Sequence, residues 1–469
     1  MTYRPRGALA ALFCSAVLLA SVANIAEAST DAASQLAESG TRADGLTYRI
    51  IGGGASPTEA IEVWFRCPAD GYDGARPGIA RLAALAIAED DRGGASLRDI
   101  ALASGGELTV QVFPAATEIG IVVPAYLSGA VQDAMLTRIF HPSVDDKAVK
   151  NAKLRLAEQI SLSGLEPDIY LRERTFAAIF SNGPYLASTF GTAATLDAAT
   201  LTDVQSFIGE AFRPANALAA SAGLGSMDAY GAIATSGPNQ LQAGAAGASP
   251  AAGMPVPQSS VRKSFAPVAL PVDSSPDVHA VALGWVGPPI SDERAATAMD
   301  FLSDYLLRDG YGTAAQAIAK AQPRASFDGQ FITLRDPGVM FAGVWGAGLD
   351  RRAAVASIRA AVQRVVDAPL SDGDFAQASI AYRTHLLHDM DGPQSIADNL
   401  GWYFAQGAPQ YTPVDMMFGA GVYDSAASSL TPGFVHDIAR RYLSSEPAMV
   451  TSPDAGGSVA WVMPSKGDR

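Results

Sequence analysis

The sequence predicts an α+β fold of two homologous domains, each a mostly antiparallel sheet covered by helices, joined by a long flexible linker. Three observations support this prediction. A stretch without charged residues, rich in Gly, Ala, Pro and Ser, runs from Gly237 to Val261. The segments on either side of it have similar lengths. Both segments also run through the same order of predicted strands and helices, as expected of an internal duplication.

The first domain is predicted at residues 46–236 and begins with a strand and a helix. Ile61–Pro68 has the composition of a strand, and Gly78–Ala88 has the apolar run of a core helix. Polar and apolar side chains alternate in the next two segments, which predicts paired strands. These segments and the later elements are the strands Glu107–Phe113 and Glu118–Pro124, the helices Leu127–Phe140 and Val149–Ile160, and the strand Ala217–Gly225.

The second domain is predicted at residues 263–455 and repeats this order. A linker at 237–262 connects it to the first domain, and residues 456–469 form a tail. Its predicted elements are the strand His279–Val286, the helix Ala295–Leu307, the strands Gly329–Leu334 and Val339–Val344, and the helices Arg352–Val366 and Asp374–His388.

The first 28 residues have the pattern of a secretory signal peptide. Arg4 and Arg6 precede the uncharged apolar stretch Ala8–Ala23, and a small-x-small site ends at Ala28. A retained membrane anchor is the alternative, although the apolar run is short and the cleavage-type site follows closely. We therefore expect residues 29–45 to begin the mature chain. The product is expected to be periplasmic or otherwise exported and soluble, without membrane attachment after cleavage.

The composition argues against nucleic-acid binding and against most transition-metal chemistry. The chain has 33 Lys and Arg against 47 Asp and Glu, a net charge of −14 that repels phosphate backbones. It contains only 5 His and 2 Cys, and His is the commonest metal ligand. Signal cleavage would leave the single thiol of Cys67. The mature chain would then have no intramolecular disulfide, so packing would have to stabilise it.

Short motifs along the chain resemble those of the pitrilysin/insulinase metallopeptidase family. The resemblance covers about Leu46 to Leu443 and implies the duplicated fold predicted above. For active members it also implies a zinc motif, His-x-x-Glu-His, on the helix that follows Gly-Ile-Ala, and a third ligand, Glu, on a later helix. The motifs that carry the resemblance are Gly78-Ile-Ala80, Ser104-Gly-Gly106, Phe212-Arg-Pro-Ala-Asn216 and the strand and turn Ala217–Gly225.

Every position of this zinc motif is replaced. Positions i, i+3 and i+4 share one helical face, so in active members two imidazoles hold Zn²⁺ and the Glu activates a bound water. The matching residues here are Arg81, Ala84 and Leu85, and the third-ligand position falls on Glu158. A guanidinium at Arg81 would repel a dication. The resemblance thus implies no catalytic residue and no metal ligand in this chain. An ion pair between Arg81 and Glu158 is one hypothesis for what replaces the metal; a solvated Glu158 is the alternative.

The positions that grip substrate in the family are also replaced. Active members use an Arg and a Tyr seven residues apart to stabilise the oxyanion, and the matching positions are Ala319 and Ser326. A slip in the alignment would bring Lys320 or Arg324 to the Arg position. The substrate-binding edge begins at Gly105 and has a Thr at position 109 in place of the family's Asn. Strand addition uses main-chain groups, so peptide pairing along this edge survives the change.

A relocated metal site is the alternative for chemistry elsewhere in the chain. His385 and His388 are three residues apart near a predicted helix end, and Asp389 follows them. This spacing places both imidazoles on one helical face. Ordinary surface His residues fit the same pattern, because the helix dipole favours His near a C-terminus.

The resemblance implies that the chain is the non-catalytic subunit of a pitrilysin/insulinase-type peptidase and is not an enzyme by itself. An active homologous subunit would then supply the zinc, and peptides would be the substrates. No cofactor is expected on this chain. Two alternatives remain open: a stand-alone periplasmic peptide-binding or scaffold protein, and a zinc metallopeptidase with a rearranged metal site.

Overall fold

The computed structural model describes residues 37–52, 56–66, 76–91, 94–163, 167–223, 259–265, 268–269 and 278–452. The predicted signal peptide, most of the linker, Cys67 and the tail lie outside these ranges. The described chain forms two sheets with helices packed against them. No helix in these ranges is long and apolar enough to cross a membrane.

The first half folds around a six-stranded sheet in the order β1-β2-β6-β3-β5-β4. Its neighbouring strands are antiparallel except for the parallel pair β2 and β6. Strand β3 is buried along nearly its whole length, as expected of a strand with packed layers on both faces. The strands are β1 (Ala37–Thr41), β2 (Thr47–Gly52), β3 (Thr58–Arg66), β4 (Glu107–Phe113), β5 (Ala116–Pro124) and β6 (Ala217–Gly223).

Helix α1 is the most deeply buried helix of this half. All ten of its residues are buried, and apolar side chains fill nine of its positions. It begins after Gly78, which has a φ of 86° and lies so close to the Phe190 carbonyl that a Cβ would not fit. The described helices of this half are α1 (Ile79–Ala88), α2 (Leu97–Ala103), α3 (Ser128–Phe140), α4 (Asp146–Ser163), α5 (Pro167–Ile179), α6 (Ala193–Ala198) and α7 (Leu201–Ala211).

The second half folds around a five-stranded sheet in the order β7-β11-β8-β10-β9. Its strands are β7 (Val268–Ala269), β8 (Val278–Val286), β9 (Ser326–Ile332), β10 (Val339–Ala347) and β11 (Ala448–Thr451). Its α-helices within the described residues are α8 (Glu293–Leu307), α9 (Thr313–Ala321), α10 (Arg351–Asp367), α11 (Asp372–His388), α12 (Pro393–Ala405), α13 (Val422–Ser428) and α14 (Pro432–Leu443).

The strand orders confirm the predicted duplication and fold class. The segment β6-β3-β5-β4 of the first sheet corresponds strand for strand to β11-β8-β10-β9 of the second. The parallel pair β2 and β6 likewise has its counterpart in the parallel pair β7 and β11. Each half therefore repeats one α+β unit, with a mostly antiparallel sheet and helices on its faces.

The two halves also exchange equivalent helices, which the sequence did not indicate. Helix α5 of the first half packs on β8, β10 and β11 of the second sheet, and α12 of the second half packs on β3, β5 and β6 of the first. Glycines permit both contacts. A Cβ on Gly284 would lie 2.3 Å from Thr175 of α5, and a Cβ on Gly401 of α12 would lie 2.2 Å from Trp64 of β3. The apolar contact between the halves is therefore built by these exchanged helices.

Candidate functional site

The zinc-motif positions lie on a face of α1 that is filled by core packing. Ala84 and Leu85 belong to the main hydrophobic cluster of the first half. Arg81 is only 7% exposed; its guanidinium lies 4.0 Å from the centre of the Phe190 ring, and Nη2 donates to the Val112 carbonyl oxygen at 3.1 Å. Two apolar side chains and a buried cation leave this face without a metal-ligating atom.

The hypothesised ion pair between Arg81 and Glu158 does not form. Glu158 is exposed on α4, and no ion pair joins it to Arg81 in the described chain. The guanidinium instead points toward β4 and Phe190. Glu89, just after α1, makes the ionic contact with α4: its carboxylate accepts from Arg155 at 2.5 Å and from Arg98 at 2.7 Å.

The two substrate-grip positions are exposed and carry small side chains. Ala319 lies near the end of α9, and Ser326 is the first residue of the edge strand β9. Neither side chain resembles the Arg and Tyr of active family members in charge or reach. Lys320 and Arg324 are exposed nearby.

His385, His388 and Asp389 are not brought together by the fold. The Nδ1 atom of His385 lies 2.9 Å from Asp304, whereas Nδ1 of the exposed His388 lies 3.2 Å from Asp391. Arg308 donates to both oxygens of Asp389, at 2.7 and 2.6 Å. Both imidazoles lie in the last turn of α11 but have separate acidic partners, and the three side chains form no metal-ligand group among the described residues.

Strand β4, which the sequence motif predicts as the counterpart of the family's substrate-binding edge, lies at the edge of the first sheet. It pairs with β5 on one side and has no neighbour on the other within the described sheet. Gly105 has a φ of 67°, and a Cβ on Gly106 would lie 2.3 Å from the Val122 carbonyl oxygen. The two glycines thus form the turn that starts the strand. An edge of this kind presents main-chain donors and acceptors to a further strand.

Three carboxylates meet at the contact between the halves, and the sequence did not predict this group. Glu62 on β3, Glu118 on β5 and Asp398 on α12 each offer an oxygen, and these oxygens all lie within 4.8 Å of one another. Glu62 and Glu118 are 2% and 0% exposed, whereas Asp398 is half-buried. Trp64 Nε1 donates to Glu62 Oε2 at 2.7 Å. We call Glu62, Glu118 and Asp398 the carboxylate trio.

The carboxylate trio carries several oxygens without hydrogen-bond partners. Both carboxylate oxygens of Glu118 and Oε1 of Glu62 are buried and accept no hydrogen bond in the described chain. Gly120 lies between the two glutamates, and a Cβ there would be 2.9 Å from Glu118 Oε1 and 3.0 Å from Glu62 Cγ. The space shared by the carboxylates therefore depends on a glycine at this position.

Burial and mutual repulsion shift the acidity of the carboxylate trio. Burial, with a further contribution from Asp398, raises the pKa of Glu118 to about 8. Burial raises the pKa of Asp398 to about 6. The pKa of Glu62 is raised well above its usual range by burial and by the charges of Asp398 and Glu118, although the Trp64 hydrogen bond opposes the shift. All three shifts favour the protonated form, as expected of acids held close together where water does not fully solvate them.

Part of the carboxylate trio could have been found from the sequence. In β3 and β5 the apolar residues Ile61 and Ile119 face the helical layer, so the alternation of side chains places Glu62 and Glu118 on the opposite face. Two acids on one face of adjacent core strands are an unusual pattern. Asp398 carried no such signal, because it comes from the exchanged helix of the other half.

Comparison with known families and structures agrees with this fold. Residues 198–382 match the sequence profile of the family described as peptidase M16 inactive domain. No curated protein sequence matches the chain.

Two solved structures illustrate the similarity. A protease from Helicobacter pylori is 15% identical in sequence, with a TM-score of 0.73 over 89% of this chain and 99% of that one. A peptidase M16 inactive domain from Pseudomonas fluorescens is 12% identical, with a TM-score of 0.69 over 91% of this chain and 100% of that one. These structures show the shared fold, and the profile match covers residues 198–382. The resemblance stated from the sequence is confirmed at this level: the chain shares the fold of M16-type structures, and residues 198–382 match the peptidase M16 inactive-domain profile.

Proposed function

We propose that this chain is an exported, non-catalytic subunit of an M16-type peptidase, which binds peptide and supports its degradation by an active, zinc-bearing partner. The observation that carries the proposal is the combination of an open edge strand, β4, with a helix α1 whose zinc-motif face is filled by Arg81, Ala84 and Leu85. The edge strand that could bind a peptide is retained, whereas the residues that would bind zinc and cleave the peptide are replaced.

Strand addition explains how the edge would bind peptide without catalytic residues. Successive residues of an edge strand point their N–H and C=O groups alternately toward the neighbouring strand and away from it. The outward groups of β4 can pair with an extended peptide, and main-chain pairing requires no particular side chain at Thr109. This mode predicts binding that depends on the peptide backbone more than on its sequence.

The partner is proposed from the chemistry that this chain lacks. Hydrolysis of a peptide bond by this family's mechanism needs a metal, a general base and oxyanion donors. The sequence contains no His-x-x-Glu-His. A homologous subunit with that motif would supply the chemistry, and this chain would contribute binding surface. Export rests on the signal-like pattern of residues 1–28, which lie outside the described residues.

Co-purification from the native host tests the partner. A tagged copy of the chain is expressed from its own locus, cross-linked in cells and purified, and the bound proteins are identified by mass spectrometry. We expect a homologous chain with an intact His-x-x-Glu-His and zinc-dependent peptidase activity in the complex. Recovery of the chain alone from native and cross-linked samples would contradict the subunit role.

Peptide binding is tested separately with the purified chain and its complex. An extended fluorescent peptide is compared with the same peptide N-methylated at alternate residues, which cannot form a strand ladder. We expect binding of the parent peptide and at least a roughly tenfold weaker affinity for the methylated one, because each lost hydrogen bond costs about 1 kcal/mol. Equal affinities would exclude strand addition. Binding by the isolated chain, with no partner recovered, would favour the stand-alone peptide-binding protein instead.

A further inference from the structure

The carboxylate trio lies away from the former zinc face, on the other side of the first sheet. Residues 81, 84 and 85 lie on α1, which packs on the face of that sheet covered by helices of the first half. Glu62 and Glu118 extend from the face that receives α12, where Trp64, Leu218 and Leu400 pack. Any function of the trio is therefore separate from the proposed peptide-binding role.

The fold does not require acids at this contact, as the duplicated half shows. Trp64 pairs with Glu118 across β3 and β5, and the corresponding pair across β8 and β10 is Gly284 with Phe341. By the same register Glu62 corresponds to Ala282. The second sheet receives its exchanged helix, α5, over Ala280, Ala282 and other apolar residues. The second sheet thus receives its exchanged helix on an apolar surface, whereas the corresponding surface of the first sheet includes two acids.

The acids are also left without cationic partners from the protein. No Lys or Arg forms an ion pair with Glu62, Glu118 or Asp398 in the ranges that the structure describes. Glu118 is fully buried, and neither of its oxygens accepts a hydrogen bond there. A buried carboxylate without a partner is costly, so these neighbouring carboxylates must be neutralised either by protons or by a positively charged ligand.

The spacing of the oxygens fits one bound ion. Ca²⁺ binds oxygen ligands at roughly 2.3–2.6 Å, so two ligands on opposite sides of the ion are separated by up to about 5 Å. The three oxygens here lie within 4.8 Å of one another. Asp398 is half-buried, so part of the trio is in contact with solvent. All three ligands are carboxylates, without His or Cys, which favours a hard cation over zinc.

We propose that Glu62, Glu118 and Asp398 bind a calcium-type divalent cation at the contact between the two halves. Calcium is favoured over Mg²⁺ because three carboxylates, one of them also bonded to Trp64, give an irregular oxygen set, whereas Mg²⁺ requires near-octahedral geometry and retains several waters. The ion would connect β3 and β5 of the first half with α12 of the second, and so strengthen the contact made by the exchanged helix.

The test is metal binding by the whole purified chain after EDTA treatment and removal of the chelator. Calcium is titrated by calorimetry at pH 8, with Mg²⁺ in a parallel experiment. Terbium luminescence provides a second readout, since Trp64 lies against Glu62 and is placed to excite a bound Tb³⁺. We expect one Ca²⁺ per chain, a calcium-dependent rise in melting temperature, and displacement of Tb³⁺ by Ca²⁺.

Variants locate the site. Glu118→Gln and Asp398→Asn are expected to lower calcium affinity roughly 10- to 100-fold and to abolish the calcium-dependent rise in melting temperature. Glu59→Gln is the matched control, because Glu59 is a buried glutamate of the same strand as Glu62 whose carboxylate accepts from Ser221 and is not part of the trio. It should leave calcium binding unchanged. If one of these two trio variants does not fold, the other still tests whether calcium binds at the trio.

Two results would overturn the proposal. The first is a folded parent chain that shows no heat of calcium binding, no terbium luminescence and no calcium-dependent rise in melting temperature. That result would mean that the trio holds protons instead of a cation. The second is calcium binding that survives both trio variants, which would place the ion elsewhere. Both readouts are independent of peptidase activity and of any partner subunit.

Discussion

Substituting Gly401 by Ala tests how closely α12 packs on the first sheet. The added Cβ would lie 2.2 Å from Cδ1 and Nε1 of Trp64 and 2.3 Å from Cδ2. Trp64 is 2% exposed, stacks on Phe113 with ring centres 5.6 Å apart and is bonded to Glu62. The indole is therefore held on several sides and cannot move aside without breaking other contacts.

Two effects of this substitution oppose each other. Replacing Gly by Ala within a helix stabilises it by about 1 kcal/mol, because Gly has the greater backbone entropy in the unfolded chain. Overpacking a buried contact costs about 1–3 kcal/mol, and a contact of 2.2 Å belongs at the upper end of that range. We therefore expect Gly401→Ala to lower the free energy of unfolding by about 2 kcal/mol.

Urea denaturation followed by circular dichroism and tryptophan fluorescence measures this change. Gly209→Ala is the matched control, since Gly209 lies in helix α7 and a Cβ there would meet nothing within 4 Å. The control should be neutral or stabilised by up to about 1 kcal/mol. A Gly401→Ala variant as stable as Gly209→Ala, or more stable than the parent, would refute the close packing of α12 against Trp64.

Three further predictions concern other contacts. Asp300 is buried beneath Tyr382 and Tyr423, and burial raises its pKa to about 6 from an ordinary 3.8, so the folded state binds this proton more tightly than the unfolded state. Its contribution to stability should be greatest below about pH 4 and fall by about 3 kcal/mol as the pH rises to about 6. Denaturant titrations at several pH values should show that Asp300→Asn lacks this pH-dependent loss of stability. A variant whose stability depends on pH as the parent's does would contradict the prediction. Leu171→Ala in α5 removes a fully buried side chain from the contact with the second sheet and should cost about 2–5 kcal/mol in urea unfolding, whereas Leu102→Ala, at a 70% exposed position, should cost much less. Glu89→Ala removes the partner of Arg98 and Arg155 and should lower the melting temperature by an amount that shrinks at high salt; salt-independent destabilisation would argue against an ionic role.

The sequence predicted the repeating unit better than the arrangement of the units. Strand β4 was predicted with its observed ends, and helix α1 within one residue, because apolar runs, alternation and glycine turns are local signals. Strand β9 begins at Ser326, three residues before the predicted Gly329, since polar residues at a sheet edge give weak alternation. The exchange of α5 and α12 left no such signal, because the apolar sequence pattern of a buried helix face is the same whichever sheet the helix covers.

The same division applies to the candidate sites. Loss of the zinc motif is a property of sequence positions 81, 84 and 85, but the partner of Arg81 was decided by the fold. Its guanidinium reached Phe190 and Val112 rather than Glu158, because α1 lies deep in the core and Glu158 faces solvent. His385 and His388 were close in sequence yet separate in their contacts, because each imidazole bonds to a different acid.

By itself, the sequence determined that this chain duplicates an α+β unit, resembles the pitrilysin/insulinase peptidases and carries none of their zinc ligands at the positions that match the motif. Those conclusions depend on residue order, periodicity and residue type, which require no knowledge of distant contacts. Only the tertiary structure brought Asp398 to Glu62 and Glu118, across some 280 positions of chain between Glu118 and Asp398. The physical reason is that burial and charge at a contact depend on which surfaces meet, and the helices that cover these sheets come from opposite halves of the chain.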